Sequence, residues 1–203
     1  ITDPHLFADP SASLRGTVSH DTLAAVIDHV RKSDWKADMI AMTGDLIQDD
    51  SRDAYERFKE HFSVLGLPVH CVPGNHDIPS YMQESLTAEP FYYCSSVRLG
   101  KWLVIGIDSS KANSAGGHVS SVEIDRLNDL AKASAADHVL ICLHHPPLPV
   151  GSVWLDGVGL DNGTEFLDAL SALGNVRACL FGHVHQAIEA EHDGLRIIGT
   201  PST

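Results

Sequence analysis

The sequence predicts an α/β protein built on mixed sheets, and three observations predict it. Apolar, β-branched runs alternate with stretches of helical periodicity early in the chain. Later the pattern turns to hairpins, with Asp193-Gly194 dividing two strand-like runs. No internal repeat, low-complexity tract or linker interrupts the 203 residues, so residues 1–203 read as one domain.

Each element has a local reason. Residues 22–31 put Leu23, Val26, Ile27 and Val30 on one helical face, and residues 50–65 do the same with Tyr55, Phe58 and Phe62. Strands are expected over 38–43, 68–72, 102–108, 138–143 and 176–181, where apolar residues run together. Residues 91–99, followed by Gly100-Lys101 and the next strand, read as a hairpin. Ser120-Ser121-Val122-Glu123 has the capping-box pattern and opens a helix through Ala133. Asn162, as N-cap, opens another through Leu173, and Gly174 ends it. Residues 187–191 and 195–199 form the last hairpin.

Apolar residues make up 43 % and charged residues 20 % of the chain, which excludes a disordered, collagen-like or disulfide-stapled class. No apolar run approaches the ~18 residues of a membrane span. Fourteen basic residues against twenty-seven acidic ones give a net charge of −13, the wrong sign for gripping a nucleic-acid backbone. That charge is equally odd for a phosphate ester, unless divalent cations held by carboxylates and imidazoles supply positive charge locally. Thirteen histidines make that reading concrete. Cys71, Cys94, Cys142 and Cys179 form no CxxC pair and read as free thiols in a reducing compartment, hence a cytoplasmic expectation. The abrupt beginning at Ile1 and end at Thr203 read as trimmed.

Five short clusters carry the chemistry: Asp3-Pro4-His5, Gly44-Asp45, Gly74-Asn75-His76-Asp77, His144-His145-Pro146 and Gly182-His183-Val184-His185. Four follow a predicted strand directly, and the first lies where a truncated strand would end. Sites in α/β sheets assemble at the carboxyl ends of strands. Asp, His and Asn supply the oxygen and nitrogen donors that suit divalent ions. Alternation along extended chain is expected to turn Asp3 and His5 to one face, likewise His183 and His185, and to turn His145 away from His144. Taken singly, each cluster reads more simply as a turn or a surface polar group. Their joint appearance, in order, argues against accident.

In that order the clusters resemble the calcineurin-like metallophosphoesterase superfamily, over essentially the whole chain. The finer likeness is to the class III cyclic-nucleotide (cyclic-AMP) phosphodiesterase type, carried by residues 1–10, 144–156, 182–186 and 199–203. Glycerophosphodiesterases of the same class look similar over 144–149.

The resemblance implies a four-layer αββα sandwich of two mixed sheets flanked by helices, with a dimetal site at the strand C-terminal edge. Carried over by motif, Asp3, His5, Asp45 and His185 would hold one ion. Asp45, Asn75, His144 and His183 would hold the other, with Asp45 bridging. Two such ions ~3.5–4 Å apart generate hydroxide from a bridging water near neutral pH and stabilise an in-line displacement at phosphorus. His76 would lie just outside the ligands as the catalytic group, and Asn75, His76 and His185 would also meet the substrate. Mn and/or Fe are favoured on resemblance, with Zn or Co compatible.

The implied activity is phosphodiester hydrolysis of 3′,5′-cyclic nucleotides, cyclic AMP favoured. Another phosphoester, such as a glycerophosphodiester or a phosphomonoester, is the alternative. A non-catalytic scaffold is disfavoured because all seven ligand positions and His76 are present. The expected partner is this small molecule, with no nucleic acid and no membrane, and a homodimer is left open. Two departures stand out: Pro4 occupies a position where relatives usually carry Thr, and relatives usually continue beyond Thr203. Trp154, in the 150–162 loop, reads as a purine-stacking group or as a loop anchor. Asp77 reads as a partner for His76 or as a turn residue.

Overall fold

In the computed structural model of the chain, which describes residues 1–203, the expected alternation resolves into two principal sheets. A short hairpin, β1 (Ser13–Leu14) and β2 (Thr17–Val18), leads into α1 (Ser19–Lys32). Then follow β3 (Ile40–Met42), α2 (Arg52–Ser63), β4 (Val69–Cys71), α3 (Pro79–Ser85) and β5 (Phe91–Tyr93). The second half contains β6 (Ser96–Leu99), β7 (Trp102–Gly106), α4 (Ser121–Ala133), β8 (His138–Cys142), α5 (Val153–Asp156), α6 (Gly163–Ala172) and β9 (Val176–Phe181). It closes with the hairpin β10 (Ile188–His192) and β11 (Leu195–Gly199).

The smaller sheet runs β3-β4-β5, with both ladders parallel. The larger runs β10-β11-β9-β8-β7-β6: parallel through its centre and antiparallel at both edges. Parallel central strands are apolar on both faces because both faces are covered. β8 obeys this, with Val139, Ile141 and Cys142 buried.

Two cores lie on opposite sides of the sheet pair. Leu23 and Ile27 of α1 and Ala54, Tyr55, Phe58 and Phe62 of α2 bury against the smaller sheet, at the helical spacing that predicted them. Leu127 and Ala131 of α4 and Phe166, Leu167 and Leu170 of α6 cover the larger sheet. Between the sheets the approach is close: a Cβ on Gly106 would stand 2.9 Å from Val72 Cγ1. Helices outside and sheets inside give the four-layer αββα order.

Local details differ from expectation. Residues 91–99 are not one strand of a hairpin. They divide at Cys94-Ser95: β5 joins the smaller sheet, while β6 pairs with β7 in the larger. Cys94 N–H bonds to Cys71 O at 2.9 Å and Gly106 N–H to Ser95 O at 2.9 Å, so consecutive residues serve different sheets. Strand propensity is blind to which partner a strand finds. The helix α3 went unpredicted, because in its seven residues only Met82 is buried and no periodicity develops. Ser120 does cap α4, accepting from Glu123 N–H at 3.2 Å, but Glu123 turns to Arg126 and to Asp108 N–H rather than back to the cap. Asn162 makes no side-chain cap at all. Its amide clasps the Val119 backbone, accepting from N–H at 3.1 Å and donating to O at 2.8 Å.

Candidate active site

The five clusters meet at one edge, beyond the carboxyl ends of β3, β4, β8 and β9. The N-terminal segment lies alongside: Asp3 N–H bonds to Gly44 O, His5 N–H to Asp45 O and Leu6 N–H to Leu46 O, each at 3.0 Å.

Extended alternation is not how these side chains converge. Asp3, His5, Asp45, His183 and His185 all have left-handed backbone, with φ of 51°, 44°, 52°, 68° and 56°. That region is uncommon outside glycine, and its cost concentrates at functional edges held by surrounding structure. The turns also need glycine for close approach. A Cβ on Gly74 would collide with Asp45 Oδ1, and one on Gly182 with Thr2 Oγ1.

The donor atoms fall into two groups. In the outer one, His5 Nε2 and His185 Nε2 are 3.1 Å apart, His185 Nε2 is 3.3 Å from Asp3 Oδ1, and His5 Nε2 is 3.7 Å from Asp45 Oδ2. In the inner one, His144 Nε2 lies 3.2 Å from Asn75 Oδ1, 3.2 Å from His183 Nδ1 and 3.4 Å from Asp45 Oδ2. Oδ2 of Asp45 therefore faces both, while its Oδ1 accepts from His76 N–H at 2.9 Å. Zinc-type bonds of about 2.0–2.2 Å place tetrahedral donors roughly 3.3–3.6 Å apart, so the spacing fits a divalent ion in each group.

Electrostatics separate the rings. Burial pushes the His183 ring down to about 4, with His144 adding to the effect, and burial also lowers His5. Both rings are therefore neutral and ligand-competent near neutral pH. Burial opposes charge on His144, but the Asp45 carboxylate beside it wins and raises the ring to about 9. Asp45 is buried as well, yet His144 and His5 hold its carboxyl far below the usual range.

Other expectations change. Asp77 neither partners His76 nor merely turns the chain. It is buried and accepts from Gly74 N–H at 2.9 Å, Leu46 N–H at 3.2 Å and Tyr55 OH at 3.1 Å, tying the Asp45 loop to the Asn75 loop. His145 is not turned away. β8 ends at Cys142, so alternation no longer applies, and the ring packs 4.9 Å from both His144 and His183, with Nδ1 2.9 Å from Ser109 Oγ. His118 pairs with Asp161. Trp154 is 70 % exposed, so it does not anchor its loop by burial. Sequence reasoning missed Ser109 and Gln48, whose Nε2 lies 3.2 Å from His76 Nδ1; nothing in local sequence marks either residue. A cavity of about 440 Å³ between the Pro146–Pro149 segment and α6 is lined by Asp156, Asp161 and Glu165, an ill-suited wall for an anionic ester.

Comparison with known proteins gives the family and the fold. The sequence profile of the calcineurin-like phosphoesterases matches residues 1–187. The chain is 36 % identical to the 3′,5′-cyclic adenosine monophosphate phosphodiesterase CpdA of Haemophilus influenzae, over 100 % of this chain and 74 % of that protein. It is 34 % identical to CpdA of Escherichia coli, with the same coverage, and 32 % identical to a 3′,5′-cyclic-nucleotide phosphodiesterase of Nostoc, with 100 % and 76 % covered. Among solved structures, a dimetal phosphatase from Danio rerio superposes with TM-score 0.77 at 17 % identity, covering 100 % of this chain and 86 % of that one. The calcineurin-like phosphoesterase YfkN of Bacillus subtilis superposes at 0.56 and 13 % identity, covering 100 % and 80 %. With its motifs at one sheet edge and its full length matched by these relatives, the chain belongs to the calcineurin-like phosphoesterase family.

Proposed function

We propose that this chain hydrolyses 3′,5′-cyclic nucleotides, cyclic AMP favoured, at the edge where Asp45 joins the two donor groups. The carrying observation is the shared Oδ2 of Asp45, 3.7 Å from His5 Nε2 and 3.4 Å from His144 Nε2, in a chain whose relatives include named cyclic-nucleotide phosphodiesterases. Asp3, His5, His185 and Asp45 would hold one divalent ion, and Asp45, Asn75, His144 and His183 the other. Mn and/or Fe are favoured on family resemblance. Bound there, the ions supply positive charge for the phosphate and lower the pKa of water.

The chain's own residues do the rest. Asp45, turned by its left-handed backbone, presents one oxygen to both groups while its second oxygen is held by His76 N–H. Asp3 fixes the last loop: both its oxygens accept from His183 N–H, at 3.2 and 3.1 Å. Asp77 holds the Asp45 and Asn75 loops in register. His76, beside the His5 ring at 5.0 Å, donates a hydrogen bond to the phosphoryl or leaving oxygen as charge develops. Asn75 and His185 flank that oxygen.

Residues 1–203 serve as one domain in this reading. No helix is long and apolar enough to cross a membrane, and four free cysteines support a reducing compartment such as the cytoplasm. The test is a substrate panel with added Mn²⁺: cyclic AMP, cyclic GMP, a glycerophosphodiester and an aryl phosphate. The highest kcat/KM is expected on a cyclic nucleotide. A higher value on the glycerophosphodiester moves the assignment to that ester.

A further inference from the structure

We propose that His20 and His61 form a metal site apart from the catalytic edge, a pair of facing imidazoles that takes one tetragonal divalent ion, Cu²⁺ or Ni²⁺, and ties α1 to α2. His20 lies in the first turn of α1 and His61 in the last turn of α2. Helix α2 leaves the Asp45 loop at its N-cap, Ser51, and His61 follows ten residues later, roughly 15 Å along the helix axis. The pair therefore stands away from the phosphoesterase chemistry and does not depend on how that chemistry is read.

Geometry selects the ion. His61 Nε2 is 3.0 Å from His20 Nδ1, with ring centroids 4.7 Å apart and planes at 59°. Bonds of about 2.0–2.1 Å to both nitrogens would subtend roughly 91–97° at an ion between them. That is close to the right angle between neighbouring positions of a tetragonal ion, and short of the roughly 109° of a tetrahedral one. Two neutral rings at this distance share one N–H···N hydrogen bond. Coordination needs a lone pair on both facing atoms, so each ring then carries its proton on its far nitrogen, a change of tautomer with no net proton release. Burial and the neighbouring His20 ring lower the pKa of His61, which leaves that ring neutral near neutral pH.

The surroundings suit a held ion. Leu23 of α1 and Phe58 and Phe62 of α2 are buried in the core beneath, so packed helices rather than loops set the two donors. Both rings line a cavity of about 280 Å³ between the helices, which admits the water needed at the remaining positions. Asp28 and Glu60 line it against a single guanidinium, Arg31. Asp28 is paired with Lys32 at 2.5 Å, which leaves Glu60 as the carboxylate balancing the ion.

The test titrates the Mn²⁺-loaded chain with Ni²⁺, an ion that does not oxidise thiols, and counts the Mn²⁺ displaced. Wild type is expected to bind one Ni²⁺ beyond those that replace Mn²⁺. His20→Asn and His61→Asn are each expected to weaken that equivalent by at least about 10-fold, since losing a direct donor costs no less than the 10–100-fold typical of outer partners. Mn²⁺ content should stay that of wild type in both. Ni²⁺ should also raise the Tm of wild type more than that of either variant, because it binds the folded pair and clamps the helices. Equal Ni²⁺ stoichiometry and affinity in all three proteins overturns the proposal, and so does weakening in one variant alone, which would mark a single surface imidazole. Wild-type crystals soaked in Ni²⁺ give a reading that needs no variant to fold. An anomalous peak within bonding distance of both His20 Nδ1 and His61 Nε2 is expected; a peak on one ring only, or none, overturns the site.

Discussion

The two donor groups differ in how far the fold encloses them. The outer group ends at His185, whose side chain is 42 % exposed, on the last loop of the larger sheet. The inner group is built on His144, whose side chain has no exposed surface, in the crease where the sheets meet. Asp45, 3 % exposed at its side chain, belongs to both. The fold thus makes one position sealed by two sheets and one closed only by the N-terminal segment and a loop. An ion in the outer position is expected to exchange faster and to leave first on dilution or chelation.

The largest effect comes from removing the shared oxygen. Asp45→Ala should empty both positions and cost at least about 10³-fold in kcat, because metal charge is worth several kcal/mol to the transition state and each 1.36 kcal/mol is tenfold. Metal analysis showing one position still full would break the sharing on which the comparison rests.

Next come substitutions that separate the positions. Asn75→Ala should weaken the inner position by at least roughly 100-fold and spare the outer, while His185→Ala should do the reverse; removing a direct donor costs no less than the 10–100-fold typical of outer partners. Calorimetric titration of each variant with Mn²⁺ measures this, and equal weakening of both sites in either variant counts against the division.

Smaller again is Gly74→Ala. Its methyl would press on Asp45 and force the two loops apart, costing about 1–3 kcal/mol of stability and weakening both positions together. Denaturant unfolding with and without Mn²⁺ reads both quantities. Unchanged stability would show that the loops yield easily and that the enclosure is soft.

The smallest effect is expected at Trp154, 70 % exposed on α5. Trp154→Ala should change kcat/KM for cyclic AMP by less than threefold, since an aromatic contact offers about 0.5–1.5 kcal/mol only where the ring is packed. A tenfold loss confined to purine nucleotides would instead establish stacking and extend the site onto the 150–162 loop.

Much of this was legible in local sequence. The faces of α1 and α2 were written in the spacing of Leu23 and Ile27 and of Tyr55, Phe58 and Phe62, because helical periodicity is a property of neighbouring residues. The convergence of the clusters was legible for another reason: the motifs carrying Asp45, Asn75, His144, His183 and His185 all follow strands that end at one sheet edge. Asn162 misled because the same amide that caps helices also clasps any backbone within reach, here that of Val119, 43 residues away.

By itself, the sequence determined the α/β class, the strand and helix periods, the five clusters at strand ends and the demand of an acidic chain for cations. Tertiary structure alone decided that residues 91–99 divide between two sheets, that Asp3, His5, Asp45, His183 and His185 turn inward through left-handed backbone, that Asp77 ties the Asp45 loop to the Asn75 loop, and that His145 packs against His144 and His183. The division is physical. Periodicity and residue chemistry are local quantities, encoded within a few positions. A loop's handedness and a side chain's partner are settled by backbone hydrogen bonds from segments 30 or more residues distant, such as Leu46 N–H to Asp77, and no window of neighbouring residues contains them.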